Sequence, residues 1–166
     1  MMSAVTSAVM TPVRSSPLGE SALRLRHYKD GINQGEVARD ILAEDLRPND
    51  HVKVICGEFS PNTYKFVQKV LDQGAIVDII SGNDTRTPHT EIDELLKNYS
   101  GKINYFKLGF RPKFHGMLIG KNIFLEDRHL DNKKYKTCIA VRNAWDDTLT
   151  KFNKIFDQYL SKAEKV

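Results

Sequence analysis

The residues best suited to chemistry lie in one basic stretch. Between Lys102 and Lys136 the chain carries nine Lys or Arg (102, 107, 111, 113, 121, 128, 133, 134 and 136) against three acids, Glu126, Asp127 and Asp131. An excess of this kind favours an anionic partner such as a nucleic-acid backbone, or else it is a solvated basic face with no partner. Two histidines stand within it. His115, in Arg111-Pro-Lys-Phe-His115-Gly-Met117-Leu-Ile-Gly-Lys121-Asn122, reads as a strand residue, either a working imidazole or a merely tolerated one. His129, near Asp127, resembles an acid/base pair, but with no third group to orient it the two read as surface residues. The acids match no known cation loop, and no Cys/His cluster has ligand spacing, so neither a metal nor a cofactor is expected.

The surrounding pattern says what must position these groups. A helix is predicted from Gly35 to about Arg47, with Val37, Ile41 and Leu42 as its apolar face, ended by Pro48. The run His51–Cys56 reads as a strand. Pro61 and Asn62 open a second helix with apolar Tyr64, Val67, Val70 and Leu71, closed at Gly74. Ala75–Ile80 reads as a strand, Ser81–Pro88 as a loop, and a third helix starts near Thr90, presenting Ile92, Leu95, Leu96 and Tyr99. Strands are predicted at Ile103–Leu108, Lys113–Ile119, Asn122–Leu125 and Thr137–Val141. A last helix carries Trp145, Leu149, Phe152, Phe156, Tyr159 and Leu160 on one face, a core stripe by its spacing. The order α–β–α–β–α–β–β–β–β–α predicts an α/β fold whose sheet is mixed but mostly parallel, with helices on both faces.

At 166 residues the chain fits one domain that can bury a sufficient core without disulfides or metal. Residues 1–20, rich in Ser, Ala, Thr, Val and Pro, read as a flexible leader, and 21–166 as a single domain. That leader lacks the basic and apolar regions of a signal peptide, and no stretch approaches the roughly 20 apolar residues that span a bilayer. Cys56 and Cys138 each sit in a β-branched run and read as buried free thiols, which fits a reducing, cytoplasmic compartment. A net charge of +4 decides little alone.

The run Phe66-Val-Gln-Lys-Val-Leu-Asp-Gln-Gly-Ala-Ile-Val-Asp-Ile-Ile-Ser-Gly82, a helix followed by Gly and an apolar strand, resembles the α/β unit that precedes the His-x-Lys-x4-Asp motif of phospholipase D-like proteins. It is especially similar to its form in the single-motif nucleases of that superfamily. After a further helix and strand, residues 111–122 fall where the motif belongs, and the resemblance covers roughly residues 35–162. His115 takes the histidine position. Met117 stands at the lysine position and Asn122 at the aspartate position. A Gly-Ser-x-Asn segment is not visible downstream, and a glutamate of the family pairs best with Lys136.

The resemblance implies hydrolysis through two histidines, one attacking phosphorus and the other protonating the leaving oxygen, with a lysine beside each to hold the phosphoryl charge. A chain with one motif then works as a homodimer. Here a thioether replaces the cation. Lys121 shares the strand face of His115 and Met117 but lies about 13 Å beyond Met117 at ~3.3 Å per residue. Lys136, Arg128, Arg111 and Lys113 are the other candidates for phosphate contact, and Gly57, Ser60, His129 and the loop Ser81–Asp84 are candidate rim residues. The expected function is a nuclease-derived domain that binds a DNA or RNA backbone with impaired or absent hydrolysis. Two alternatives stand beside it. One is an active, metal-independent phosphodiesterase with His115 as nucleophile and a substituted cation. The other is an interaction module that pairs with a subunit whose motif is intact.

Overall fold

In a computed structural model of the chain, the residues described are 16–85, 89–126 and 136–166, with the side chains of residues 84 and 85 left aside. The elements are β1 (Gly19–Arg26), β2 (Tyr28–Lys29), β3 (Ile32–Asn33), α1 (Gln34–Leu42), β4 (His51–Phe59), α2 (Pro61–Asp72), β5 (Ile76–Thr85), α3 (His89–Asn98), β6 (Ile103–Lys107), β7 (Gly116–Ile119), β8 (Asn122–Glu126), β9 (Thr137–Ala144), α4 (Asp146–Leu160) and β10 (Glu164–Lys165).

Eight strands form one sheet in the order β1-β9-β8-β7-β4-β5-β6-β10, and β2 and β3 make a small separate ribbon. The α/β class, the mixed sheet and the helices on both faces agree with the sequence. The predominance of parallel pairing does not. Only β4–β5 and β5–β6 run parallel, while the other neighbours in the large sheet are antiparallel. The reason lies in the connections. Parallel neighbours need a crossover of a dozen or more residues, and α2 and α3 supply the two that exist. The link from β7 to β8 is only the Gly120-Lys121 turn, which can join strands only antiparallel.

The sheet separates two cores. Val52, Val54, Cys56, Val77, Ile79, Met117, Ile119 and Phe124 pack under α1, α2 and α3. Ile55, Ile80, Leu118, Ile123 and Val141 face Phe152 and Phe156 of α4. Successive strand side chains point to opposite faces, so a near-continuous apolar run such as that of β4 is what two covered faces require.

Local chemistry explains the helix ends. Ser60 caps α2, its hydroxyl accepting from the Thr63 amide at 3.3 Å, with Pro61 in the first turn, where a missing N–H costs nothing. Gly74 ends the turn after α2 with φ at +89°, and a Cβ there would make a tight contact with Pro48 at 3.1 Å.

Several elements depart from expectation. β1, not anticipated, opens at Gly19 and pairs with β9 from Gly19↔Ala144 to Arg26↔Thr137. β5 continues to Thr85, so Ser81–Asp84 is strand and not loop. Trp145 precedes α4 as its cap residue and is half-exposed, its indole N–H donating to the Ser16 carbonyl. In α1 the buried side is Gly35, Ala38, Arg39 and Leu42, whereas Val37 and Ile41 are 49% and 42% exposed. Gly35 allows this rotation, because a Cβ there would stand 2.4 Å from the His27 ring. No helix among the described residues is long and apolar enough to cross a membrane.

Candidate functional site

The site forms at the end of the sheet where β4 finishes and β7 begins. The β4–β5 register shifts there: Cys56 pairs with Ser81 and Glu58 with Asp84, so two residues of β5, Gly82 and Asn83, oppose Gly57 and the ladder is locally broken. The Gly57 amide donates to Nδ1 of His115 at 2.9 Å. His115 sits immediately before β7, 4% exposed, and its carbonyl accepts from the Glu126 amide of β8 at 3.1 Å. The ring is thus held from β4 and the backbone that carries it from β8.

That bond determines what the imidazole can do. A backbone amide can only donate, so Nδ1 must offer its lone pair, and the proton of the neutral ring then resides on Nε2. In this tautomer Nε2 is a hydrogen-bond donor and has no lone pair with which to attack phosphorus.

His115 lines a cavity of about 930 Å³, within the range of ligand sites. The wall is built from chain segments far apart in sequence: His27, Arg39 of α1, Glu58, the capped start of α2 at Ser60, Pro61, Asn62 and Thr63, the segment Arg111–Lys113, Met117, Phe124, Glu126 and Lys136. Four permanent cations, Arg39, Arg111, Lys113 and Lys136, face two carboxylates, Glu58 and Glu126. A helix start adds partial positive charge from its amides. Arg111 and Lys113 are exposed. Lys136 is mostly buried and ion-paired with Glu126 at 3.0 Å, so its charge is partly spent within the protein.

Cys138 flanks this group in sequence and in charge. Burial pushes its thiol up to about 11, Glu126 adds to the rise, and Lys136 and Arg39 pull the other way. The thiol is neutral near pH 7 and is no nucleophile. Burial also raises the Tyr105 phenol, against the opposing hydrogen bond to Ser81.

The expected site residues divide. His115, Lys136, Arg111, Lys113, Ser60 and Met117 all line the cavity, and Gly57 touches His115 directly. Lys121 does not belong. It is exposed in the β7–β8 turn at the opposite end of the sheet, where the Gly120 amide reaches the His51 carbonyl at the start of β4. The strand ends before it, so the shared face fails. Asn122 is also remote from His115 and is structural. Buried, it donates to the Leu42 carbonyl at 2.9 Å and accepts from the Asn143 amide at 2.9 Å. Ser81 is buried in β5, bonded to Tyr105. Arg128 and His129 lie outside the described residues.

Sequence reasoning missed Arg39 and His27. Arg39 is 4% exposed, its guanidinium carbon 5.6 Å from the Phe66 ring centre and 5.7 Å from that of Phe124. A charged residue three positions before Leu42 was the available sign, masked by the apolar Val37 and Ile41 on the outer side.

The fold is phospholipase D-like. No protein-family model matches the chain, and comparison with curated protein sequences finds no match. Solved structures are similar in fold. Nuc from Salmonella typhimurium, a phospholipase D family member, superposes with a TM-score of 0.65 at 9% identity, over 88% of this chain and 97% of its own. NucT from Helicobacter pylori gives 0.57 at 17% identity, over 88% and 98%. TrmBL2, described as an archaeal chromatin protein with a novel mode of DNA binding, gives 0.68 at 19% identity over 89% of this chain. This chain spans about half of TrmBL2, 55% of its length.

Proposed function

We propose that this chain binds the phosphodiester backbone of a nucleic acid and does not hydrolyse it. The observation that carries the reading is the Gly57–His115 bond, which leaves His115 as a donor toward a phosphate oxygen in place of a nucleophile. Met117 supports it, since the position that would hold phosphoryl charge is filled by a thioether packed in the core. The surplus of cations around the cavity favours an anion, and the resemblance in fold to a DNA-binding chromatin protein favours nucleic acid as its source.

The test is duplex binding across a salt series together with hydrolysis of bis-p-nitrophenyl phosphate and plasmid in EDTA. The expected result is binding that falls steeply with salt, as counterion release requires, weakened in His115→Ala, with no turnover in either protein. Metal-independent turnover lost in His115→Ala would instead establish a phosphodiesterase. Salt-independent binding would remove nucleic acid as the partner.

Two finer points belong to this reading. A second copy of the chain, or a subunit with an intact motif, is the proposed partner, and the exposed apolar residues Tyr28, Ile32, Val37 and Ile41 offer surface for it to bury. Light scattering of the purified chain decides this, with a monomer at micromolar concentration counting against the homodimer. An intracellular setting is proposed on Cys56 and Cys138, two buried cysteines that are not joined in a disulfide.

A further inference from the structure

We infer that Arg39 is the phosphate-holding cation of this cavity, taking from helix α1 the role that Met117 leaves empty on the sheet. The inference rests on the backbone-binding reading for its ligand class and adds the residue that would carry it.

Three observations converge on Arg39. First, it is buried, and its Nε has no hydrogen-bond partner among the described residues. No carboxylate among those residues forms an ion pair with it, in contrast to Lys136 with Glu126. A guanidinium removed from water without a counter-charge is costly, and buried charges are normally paired. An anion arriving in the cavity would supply the missing partner.

Second, its position is specific. The guanidinium carbon lies over both the Phe66 ring, 5.6 Å from its centre, and the Phe124 ring, 5.7 Å from its centre. Phe124 is the direct cross-strand neighbour of Met117 in the β7–β8 register, and such neighbours stand about 5 Å apart at Cβ. The charge therefore sits over the patch of sheet next to the one from which a lysine at position 117 would have projected. His115 and Met117 line the same cavity as Arg39.

Third, the packing suits a fixed anion site. Two aromatic faces hold the planar group by cation–π attraction without using its N–H donors. A guanidinium restrained in this way can meet a phosphate as a bidentate donor, which a lysine cannot do. The cavity wall provides further polar groups in His115, Lys113 and Asn62 at the start of α2.

The ligand is a phosphate group, either in a backbone or free, and the test separates the two sources. Thermal unfolding of the wild type and of Arg39→Met is followed with added inorganic phosphate against chloride of equal ionic strength. Binding of a short DNA duplex is measured in parallel. The expected result is a phosphate-specific rise in Tm in the wild type and none in Arg39→Met, with duplex affinity reduced about tenfold in the variant. Without phosphate, Arg39→Met should keep or raise its Tm, since an unpaired buried charge has been replaced by an apolar chain of similar length. An Arg39 serving only to bridge two aromatic rings gives the reverse, a lower Tm and unchanged phosphate response, and overturns the inference. So does a wild type that does not respond to phosphate. If Arg39→Met does not fold, the Arg39 Nε–H resonance in the wild type decides, a shift on adding phosphate supporting the site and an unmoved signal refuting it. Phosphate stabilisation through Arg39 with no duplex binding would leave the site standing and end the nucleic-acid reading alone.

Discussion

The Gly57 amide and His115 Nδ1, 58 residues apart in sequence, are joined by a hydrogen bond of 2.9 Å. Gly57 lies just past the last β4–β7 pair, Ile55↔Gly116, and opposite the two β5 residues at which the β4–β5 register shifts. The bond fixes both the direction of the imidazole and the nitrogen that bears the proton.

The tautomer can be read directly. Long-range ¹H–¹⁵N spectra of the histidine rings at pH 7.5 should show His115 with its proton on Nε2 and a lone pair on Nδ1. A His115 protonated on Nδ1 would return Nε2 to a nucleophile's state and would undo the argument against catalysis.

Gly82 guards the same bond from the next strand. A Cβ at this position would stand 2.4 Å from the Gly57 carbonyl oxygen and 3.3 Å from Pro112. The first of these is backbone, which cannot swing aside. Gly82→Ala should therefore displace Gly57, cost about 1–3 kcal/mol in urea unfolding, and blur the single His115 tautomer into a mixture. A variant with unchanged stability and an unchanged ring spectrum would show that the bulge tolerates the shift.

Restoring the aspartate of the resembled motif should harm this chain. Asn122 gives one hydrogen to the Leu42 carbonyl and takes one from the Asn143 amide, tying α1, β8 and β9 together. A carboxylate keeps the second bond and loses the first, setting a buried anion against a carbonyl oxygen. Asn122→Asp should lower stability by about 1–3 kcal/mol and produce no hydrolysis, alone or with Met117→Lys. Equal or greater stability would imply a rearrangement that frees the carboxylate for the motif's own use.

How much of this was legible follows from what the chain writes locally. The Ser60-Pro61 start of α2, the apolar run of β4 and the Phe152–Phe156 stripe of α4 are short-range signals, and each element formed where expected. β1 is a partly exposed edge strand, and its alternation of Leu23 and Leu25 with Arg24 and Arg26 is visible only once looked for. The balance toward antiparallel pairing depends on which strands meet, and connection length alone hinted at it. His115 was found because one motif position survives. Arg39 was not, because a guanidinium on the buried side of a helix contradicts the usual sorting of charge to solvent. Only the approach of Phe66 and Phe124, from other elements, makes sense of it.

Cys138 gives the site a pH signature. Its thiol, fully buried, is raised from the ordinary 9.0 to about 11 by burial first and by Glu126 next. Above pH 9 the unfolded chain sheds this proton while the folded one keeps it, so the unfolded state binds fewer protons and stability falls as pH rises. The contribution is fully present below 9 and is lost by about 11, amounting to roughly 2–3 kcal/mol at 1.36 kcal/mol per pH unit. Cys138→Ala should be less stable at pH 7 through lost packing, yet its stability should decline less between pH 9 and 11 than that of the wild type. Urea unfolding at several pH values across this window measures the difference, and parallel curves would mean that the thiol ionises no differently in the folded and unfolded chains. Tyr105, also raised by burial, contributes to both proteins and so cancels in the comparison.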